Sequence, residues 1–158
     1  MKLKMKNSIL KYTFVAVTAL FITSCSSDDN TTLDTTKPEV KIVTPLEDQH
    51  LHPGDVINFE ALLKDDVELG KAKVDIHFDG DGHTHAHKSA AADKEFSFNQ
   101  EYTIPNGLKE HTLKGDIQIP ADITAGGHYH FGIIATDKAG NETQNYIEIE
   151  IAVHGHEH

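Results

Sequence analysis

The hydrophobic pattern changes character along the chain. Residues 12–22 form an almost unbroken apolar run, whereas from Pro38 onward apolar and polar residues alternate in short segments. A period of two is typical of β-strands that bury one face, and no segment shows the period of an amphipathic helix. Seven segments follow the pattern, with apolar positions at Val40 and Ile42, Val56 to Leu62, Ala72 to Phe78, Phe96 and Phe98, Leu113 to Ile119, Tyr129 to Ala135, and Ile147 to Val153.

These seven segments predict an all-β fold, a seven-strand immunoglobulin-like sandwich over residues 38–153. Gly127 to Asn141 resembles the F strand and the F–G turn of bacterial immunoglobulin-like and cadherin-like domains. Tyr129 is then the inward aromatic near the start of the strand, and Asp137 closes the turn by accepting backbone N–H bonds. We interpret Asp137 as structural rather than catalytic. In such a sandwich the sixth strand lies between the third and the seventh.

The apolar run near the N-terminus predicts a signal peptide over residues 1–24. Four lysines precede the run, and its length is that of a secretory signal rather than of a membrane span. Ile22 to Cys25 resembles a bacterial lipobox, with Ile22 where leucine is usual. The resemblance implies that Cys25 is lipidated and anchors the protein to the outer membrane. An ordinary signal peptide with a chance cysteine is the alternative.

Residues 25–37 are predicted to be the lipidated cysteine followed by a disordered tether, because they are polar and lack periodicity. Ser27 to Asp29 resembles the acidic export signal of surface lipoproteins in the Bacteroidetes, and Asp34 to Thr36 resembles the O-glycosylation acceptor of the same group. A solvated linker explains the same residues. The resemblance implies an outer-membrane lipoprotein that is surface-exposed or, otherwise, periplasm-facing.

Charge and cysteine content limit the classes of partner and of covalent cross-link that the chain can have. The formal net charge of −11 argues against nucleic acid, which requires a basic face, and favours cations. A single cysteine leaves no intrachain disulfide. Twelve histidines against two methionines and no tryptophan are an unusual balance, and they direct attention to metal binding.

The densest group of histidines begins at the end of the third predicted strand. Residues 77–87 contain His77, His83, His85 and His87 together with Asp79 and Asp81. Imidazole is the commonest metal ligand in proteins near neutral pH. On its own this stretch is equally consistent with a ligand loop and with a polar loop.

Strand alternation predicts that further histidines face the same way. Tyr129 and Phe131 are expected to point inward, which turns His128 and His130 outward, and the same argument turns His77 outward. Residues two apart on a strand are about 6.6 Å apart and neighbouring strands about 4.8 Å, so imidazoles from adjacent strands can share an ion. The predicted metal ligands are His77, His128 and His130, with a fourth from His83, His85 or His87. Asp79 and Asp81 are further predicted residues of the metal site. The tail histidines His154 and His156 are predicted to close the site or to hold a second ion. Asp75, Glu148 and Glu150 are predicted to orient the rings as a second shell.

The alternating direction of the strands gives a second prediction. It places every histidine except His111 at one end of the sandwich, away from the tether. Residues 154–158 form a separate His-rich tail at that end. Clustering of this kind is not expected from chance placement, so it favours a metal site over scattered solvated side chains.

Other motifs carry less weight. Asp79 to Gly82 is similar to a calcium loop, but Thr84 and Ala90 stand where an EF-hand needs glycine and glutamate. Asp65 and Asp66 fit a turn, with a calcium site as the alternative. No serine or cysteine nucleophile lies near a base, so we predict that the protein is not an enzyme; water activated by zinc on three histidines is the minor alternative.

The whole chain resembles an uncharacterised family of Bacteroidetes lipoproteins, domain of unknown function 4625. The matching features are the lipobox, Pro38 to Pro45, the stretch from His77 to His87 and the turn from Asp137 to Asn141. The resemblance implies the fold and the location but no activity.

The sequence therefore predicts a lipid-anchored cell-envelope protein that binds zinc or copper at its membrane-distal end, for capture, buffering or delivery, with an outer-membrane transporter as the candidate recipient. Imidazole and carboxylate donors without thiolate suit these two ions. The alternative is a structural or adhesive immunoglobulin-like module that binds glycan or protein without metal. A third reading is a pH-sensing surface, because clustered histidines titrate near pH 6.

Overall fold

A computed structural model describes residues 33–79 and 93–153. Several predicted features lie outside these residues: the signal peptide, Cys25, Asp81, His83, His85, His87, His154 and His156. Within the described ranges no helix is long and apolar enough to span a membrane. The strands are β1 (Glu39–Thr44), β2 (Gln49–Leu51), β3 (Val56–Lys64), β4 (Leu69–Phe78), β5 (Phe98–Thr103), β6 (Glu110–Gln118), β7 (Gly127–Asp137) and β8 (Glu142–Ile151).

The strands form two sheets, which confirms the predicted all-β sandwich. One sheet has the order β1-β3-β6 and the other the order β2-β8-β7-β4-β5. Neighbouring strands are antiparallel except β2, which pairs in parallel with β8. As predicted, β7 lies between β4 and β8. The last residues of β4 and of β8 therefore lie on either side of the first residues of β7.

The predicted count of seven strands was one too low. The additional strand, β2, has only three residues and lies in the predicted loop between the first two strands. Three residues are too few to establish a period of two. What makes them a strand is pairing with Ile149 to Ile151, about a hundred residues further along the chain.

The core lies between the sheets and is built from alternate residues of the long strands. Phe59 from β3 and Phe131 from β7 meet with ring centroids 6.2 Å apart. Tyr129 is fully buried and makes two backbone hydrogen bonds: its hydroxyl donates to the carbonyl oxygen of Ala125 at 2.7 Å and accepts from the N–H of Phe96 at 3.3 Å. These bonds fix the beginning of β7, where His128 and His130 lie on the opposite face from Tyr129.

The turn between β7 and β8 has the structure predicted for it. The buried Asp137 accepts a hydrogen bond from the Asn141 backbone N–H at 2.8 Å and another from its Nδ2 at 2.7 Å. Gly140 has φ of 95°, a left-handed conformation that favours glycine. Asn141 Nδ2 also donates to the carbonyl oxygen of Asp34 at 3.1 Å, which places Asp34 beside this turn.

The sandwich thus has two distinct ends. We call the end where β4 and β8 finish and β7 begins the histidine pole; all described histidines except His111 lie there. We call the end with the β3–β4 and β7–β8 turns, where Asp34 lies, the tether pole. The described residues therefore agree with the predicted clustering of histidines away from the tether.

Candidate metal centre

Strand register places the histidines and their carboxylates in two rows on the outer face of the five-stranded sheet. His77 on β4 lies opposite His130 on β7, which lies opposite Glu148 on β8. In the next row His128 lies opposite Glu150, and the His128 carbonyl oxygen accepts the Asp79 N–H at 3.0 Å. Tyr129 and Phe131 are fully buried, so His128 and His130, which alternate with them along β7, face outward.

His130 is the central residue of this group. Its Nε2 lies 3.6 Å from Asp79 Oδ2, and its Nδ1 lies 3.4 Å from His77 Nε2. One ligand atom each from Asp79, His130 and Glu148 lie within 4.8 Å of one another. Their side chains are about one-third exposed, at 38%, 37% and 33%. The three residues can therefore reach one ion that remains accessible to solvent.

The contacts behind His130 fit a metal-binding orientation of its ring. Asp75 Oδ2 lies 2.8 Å from His77 Nδ1, so the neutral His77 tautomer with its proton on Nδ1 presents Nε2 as an acceptor. In the matching tautomer His130 donates its Nδ1–H to His77 Nε2, 3.4 Å away, and the lone pair of His130 Nε2 is directed to the Asp79 side. A carboxylate-to-histidine chain of this kind orients a metal-binding ring.

The neighbouring carboxylates are also held in place. Asn99 Nδ2 donates to Asp75 Oδ1 at 2.6 Å, and the Tyr146 hydroxyl lies 3.5 Å from Asp75 Oδ2. His128 Nδ1 lies 2.6 Å from Glu148 Oε1. Burial, reinforced by the nearby Asp75 carboxylate, raises the pKa of Tyr146.

The geometry assigns roles that differ from those expected from sequence. His77, His128 and His130 do not form a three-histidine set with all ligand atoms within 4.8 Å; in the described part of the chain, the group here is Asp79, His130 and Glu148. Glu148 contacts the His128 ring, as expected, and also offers a ligand atom to this group, whereas His77 contacts His130. Glu150 faces His50 Nδ1 at 2.9 Å rather than the central group.

Sequence reasoning missed Tyr146, whose ring packs against both imidazoles. Its centroid lies 5.9 Å from that of His77 and 6.2 Å from that of His130. The ring occupies the space over Gly132, where an added Cβ would lie 2.0 Å from Tyr146 Cε1. The signal available in the sequence was a glycine within an alternating strand, which often marks close approach of another group.

Replacing Gly132 by alanine should move the Tyr146 ring away from the two imidazoles. We expect a loss of about 1 kcal/mol in the free energy of unfolding, at the lower end for overpacking because Tyr146 is partly exposed and can rotate outward. Chemical denaturation of G132A, Y146A and the double variant measures the coupling. If G132A lowers the free energy of unfolding as much in the Y146A background as in the wild type, the new methyl group does not displace the Tyr146 ring.

The comparison with protein families identifies the chain. A family described as a domain of unknown function (DUF4625) matches residues 23–152. The chain belongs to this family. The DUF4625 match includes every described site residue, from Asp75 to Glu150. Among curated proteins, none matches the sequence.

Several solved structures are similar to the DUF4625 chain at low sequence identity. The fibronectin(III)-like modules of Clostridium thermocellum CbhA are 17% identical, with a TM-score of 0.44, over 72% of this chain and 94% of that chain. OgpA from Akkermansia muciniphila is 14% identical, with a TM-score of 0.47, over 75% of this chain and 30% of OgpA. Spo0M, a sporulation control protein from Bacillus subtilis, is 13% identical, with a TM-score of 0.41, over 75% and 49%. The DUF4625 chain thus spans less than a third of OgpA and about half of Spo0M.

Proposed function

We propose that this DUF4625 chain is a lipid-anchored protein of the cell envelope that binds a transition metal ion at its histidine pole. The observation that supports the proposal is the convergence of Asp79, His130 and Glu148, with the Nδ1 side of His130 occupied by His77. A ring held in this way presents a single nitrogen to an ion. Scattered solvated histidines do not require such an arrangement.

The donor set indicates the class of metal. One imidazole and two carboxylates, without thiolate, suit zinc or copper(II). Three protein ligands leave a fourth position in a tetrahedral zinc site, which we assign to His83, His85 or His87, the next histidines along the chain. Because the described ligands are partly exposed, the ion exchanges with solvent, which suits capture, buffering or delivery more than a structural role.

The position of the site supports a role facing away from the membrane. Asp34, which follows the predicted lipidated Cys25, lies at the tether pole, and the metal ligands lie at the other end of the sandwich. We therefore propose that lipid on Cys25 holds the tether pole towards the outer membrane. The histidine pole then faces its metal source and its recipient, for which an outer-membrane transporter is the candidate.

The proposal predicts that the purified protein binds zinc or copper(II) tightly enough to compete with a weak chelator. Calorimetric titration gives the affinity, and elemental analysis of protein purified without an affinity tag gives the metal it carries. Affinity should fall below about pH 6, because imidazole must be deprotonated to bind. A triple alanine variant at His77, His128 and His130 serves as the comparison.

Equal and weak binding by the wild type and the triple variant would contradict the proposal. Strong binding to a glycan array in the presence of a chelator would instead support the adhesive alternative, because it would show recognition that needs no metal.

A further inference from the structure

A second group of ligand atoms lies at the tether pole. Carboxylate oxygens of Asp34, Asp65 and Asp66 lie within 4.8 Å of one another. Asp65 and Asp66 come from the turn after β3, and Asp34 comes from the segment before β1. The group therefore joins the predicted tether to the sandwich.

Asp65 distinguishes this group from an ordinary acidic surface. The residue is only 4% exposed. Its Oδ1 accepts the N–H groups of Val67 at 2.9 Å and Glu68 at 2.7 Å, whereas its buried Oδ2 has no hydrogen-bond partner in the described part of the chain. Buried polar atoms are nearly always paired, and an unpaired acceptor costs about 1–3 kcal/mol. Asp65 therefore has a buried acceptor that remains available to a ligand bound at this group.

Lysines lie near the group, but in the described residues none of them pairs directly with its carboxylates. Lys109 Nζ donates to the backbone carbonyl oxygen of Asp66 at 2.7 Å, not to a carboxylate. Lys37 and Lys64 border a pocket of about 100 Å³ beside Asp65 and Asp66, but Lys64 pairs with Glu110 at 3.2 Å. Within residues 33–79 and 93–153, none of the three carboxylates forms a salt bridge.

Neighbouring hydrogen bonds bring the carboxylates of the two segments together. Thr36 donates its backbone N–H to Asp34 Oδ1 at 3.0 Å and its hydroxyl to Asp66 Oδ2 at 3.2 Å. Asn141 Nδ2 holds the carbonyl oxygen of Asp34 at 3.1 Å. Among the described residues the donor set is therefore carboxylate oxygen, without a nitrogen or sulfur ligand.

We propose that Asp34, Asp65 and Asp66 bind a calcium ion at the tether pole. Calcium takes six to eight oxygen ligands in flexible geometry, so water can complete the shell around Asp34 and the exposed Asp66. The ion would pair the buried Asp65 Oδ2 and would fasten the segment before β1 to the sandwich. This site is independent of the proposed transition-metal site, because it shares no residue with it and lies at the other end of the domain.

Calorimetric titration of the purified protein with calcium, and separately with magnesium, tests the proposal. We expect saturable binding of one calcium ion with a Kd on the order of 10⁻⁴ to 10⁻³ M, and weaker binding of magnesium. D66N and D34N should each weaken calcium binding roughly tenfold or more, because each removes a charged ligand. D116N removes the same charge from an exposed position of β6 and should bind calcium as the wild type does.

D65N tests whether the buried Asp65 carboxylate binds the calcium ion. If D65N does not fold, D34N and D66N still test the proposed site. His130→Ala should leave calcium binding unchanged, which separates this site from the proposed transition-metal site. Absence of saturable calcium binding, or equal affinity in D34N, D66N and D116N, would overturn the assignment.

Discussion

Replacing His130 by alanine is expected to weaken zinc binding on the order of 100-fold, the largest loss from any single substitution at the histidine pole. His130 belongs to the group of ligand atoms and also contacts His77: its Nε2 lies beside Asp79 and its Nδ1 beside His77. The substitution removes a ligand and also ends the hydrogen-bond chain that begins at Asp75. Competition titration of the variant against the wild type measures the effect.

Two controls make this result specific. His50→Ala removes an imidazole from the same face, where His50 faces Glu150 rather than the central group, and it should change zinc affinity little. His111→Ala removes an imidazole from the other pole. Equal losses in H130A, H50A and H111A would show diffuse electrostatic attraction in place of a defined site.

The same chain of contacts predicts an intermediate effect for His77. If His77 acts by orienting His130, H77A should weaken zinc binding about 10-fold, at the lower end of the loss that follows removal of a group orienting a metal ligand. If His77 were instead a direct ligand, its loss would equal that of His130. The ratio of the two affinities therefore decides between the role expected from sequence and the role indicated by the structure.

Replacing Tyr129 by phenylalanine is expected to lower the free energy of unfolding by about 1–3 kcal/mol. The hydroxyl is buried and bonded to the Ala125 carbonyl oxygen and the Phe96 N–H, so its loss leaves both backbone groups unpaired. Chemical denaturation measures the change. Tyr102→Phe is the matched control, because Tyr102 is partly exposed and its hydroxyl makes neither of these bonds. Equal losses in the two variants would contradict a special role for the Tyr129 hydroxyl.

The pH dependence of Y129F provides an independent check. Burial raises the pKa of Tyr129, so the folded state holds this proton more tightly than the unfolded state does. The associated stability is present below the ordinary tyrosine pKa of about 10 and is lost as the pH rises through the folded value. Y129F should therefore lose less stability than the wild type above about pH 10.

Tyr129 also shows why the sequence predicted which side of each strand carries the site histidines. A strand in a sandwich buries one face, and in β7 the alternation of Tyr129 and Phe131 with His128 and His130 is contained in consecutive residues. The same argument applies to Ile76, His77 and Phe78 in β4. Because the turn residues also lie close together in sequence, the direction of each strand, and hence the pole that holds most of the histidines, followed from local pattern.

Local alternation could not predict the three-residue strand β2 or the roles of His77 and Glu148. Pairing of His50 with Glu150 joins residues far apart in the chain, and three residues carry no period that would reveal it. The packing of Tyr146 over Gly132 likewise depends on register between β7 and β8. A slip of two residues would preserve the alternation and change every cross-strand contact.

The sequence by itself determined the all-β class, the outward direction of His77, His128 and His130, and the clustering of the described histidines other than His111 at one end, because each depends on short-range alternation. Only the tertiary structure decided that Asp79, His130 and Glu148 converge and that His77 lies behind His130. It also decided that Asp34 meets Asp65 and Asp66 at the other pole. Those contacts depend on strand register and on ring orientation, which are set by pairing between distant segments.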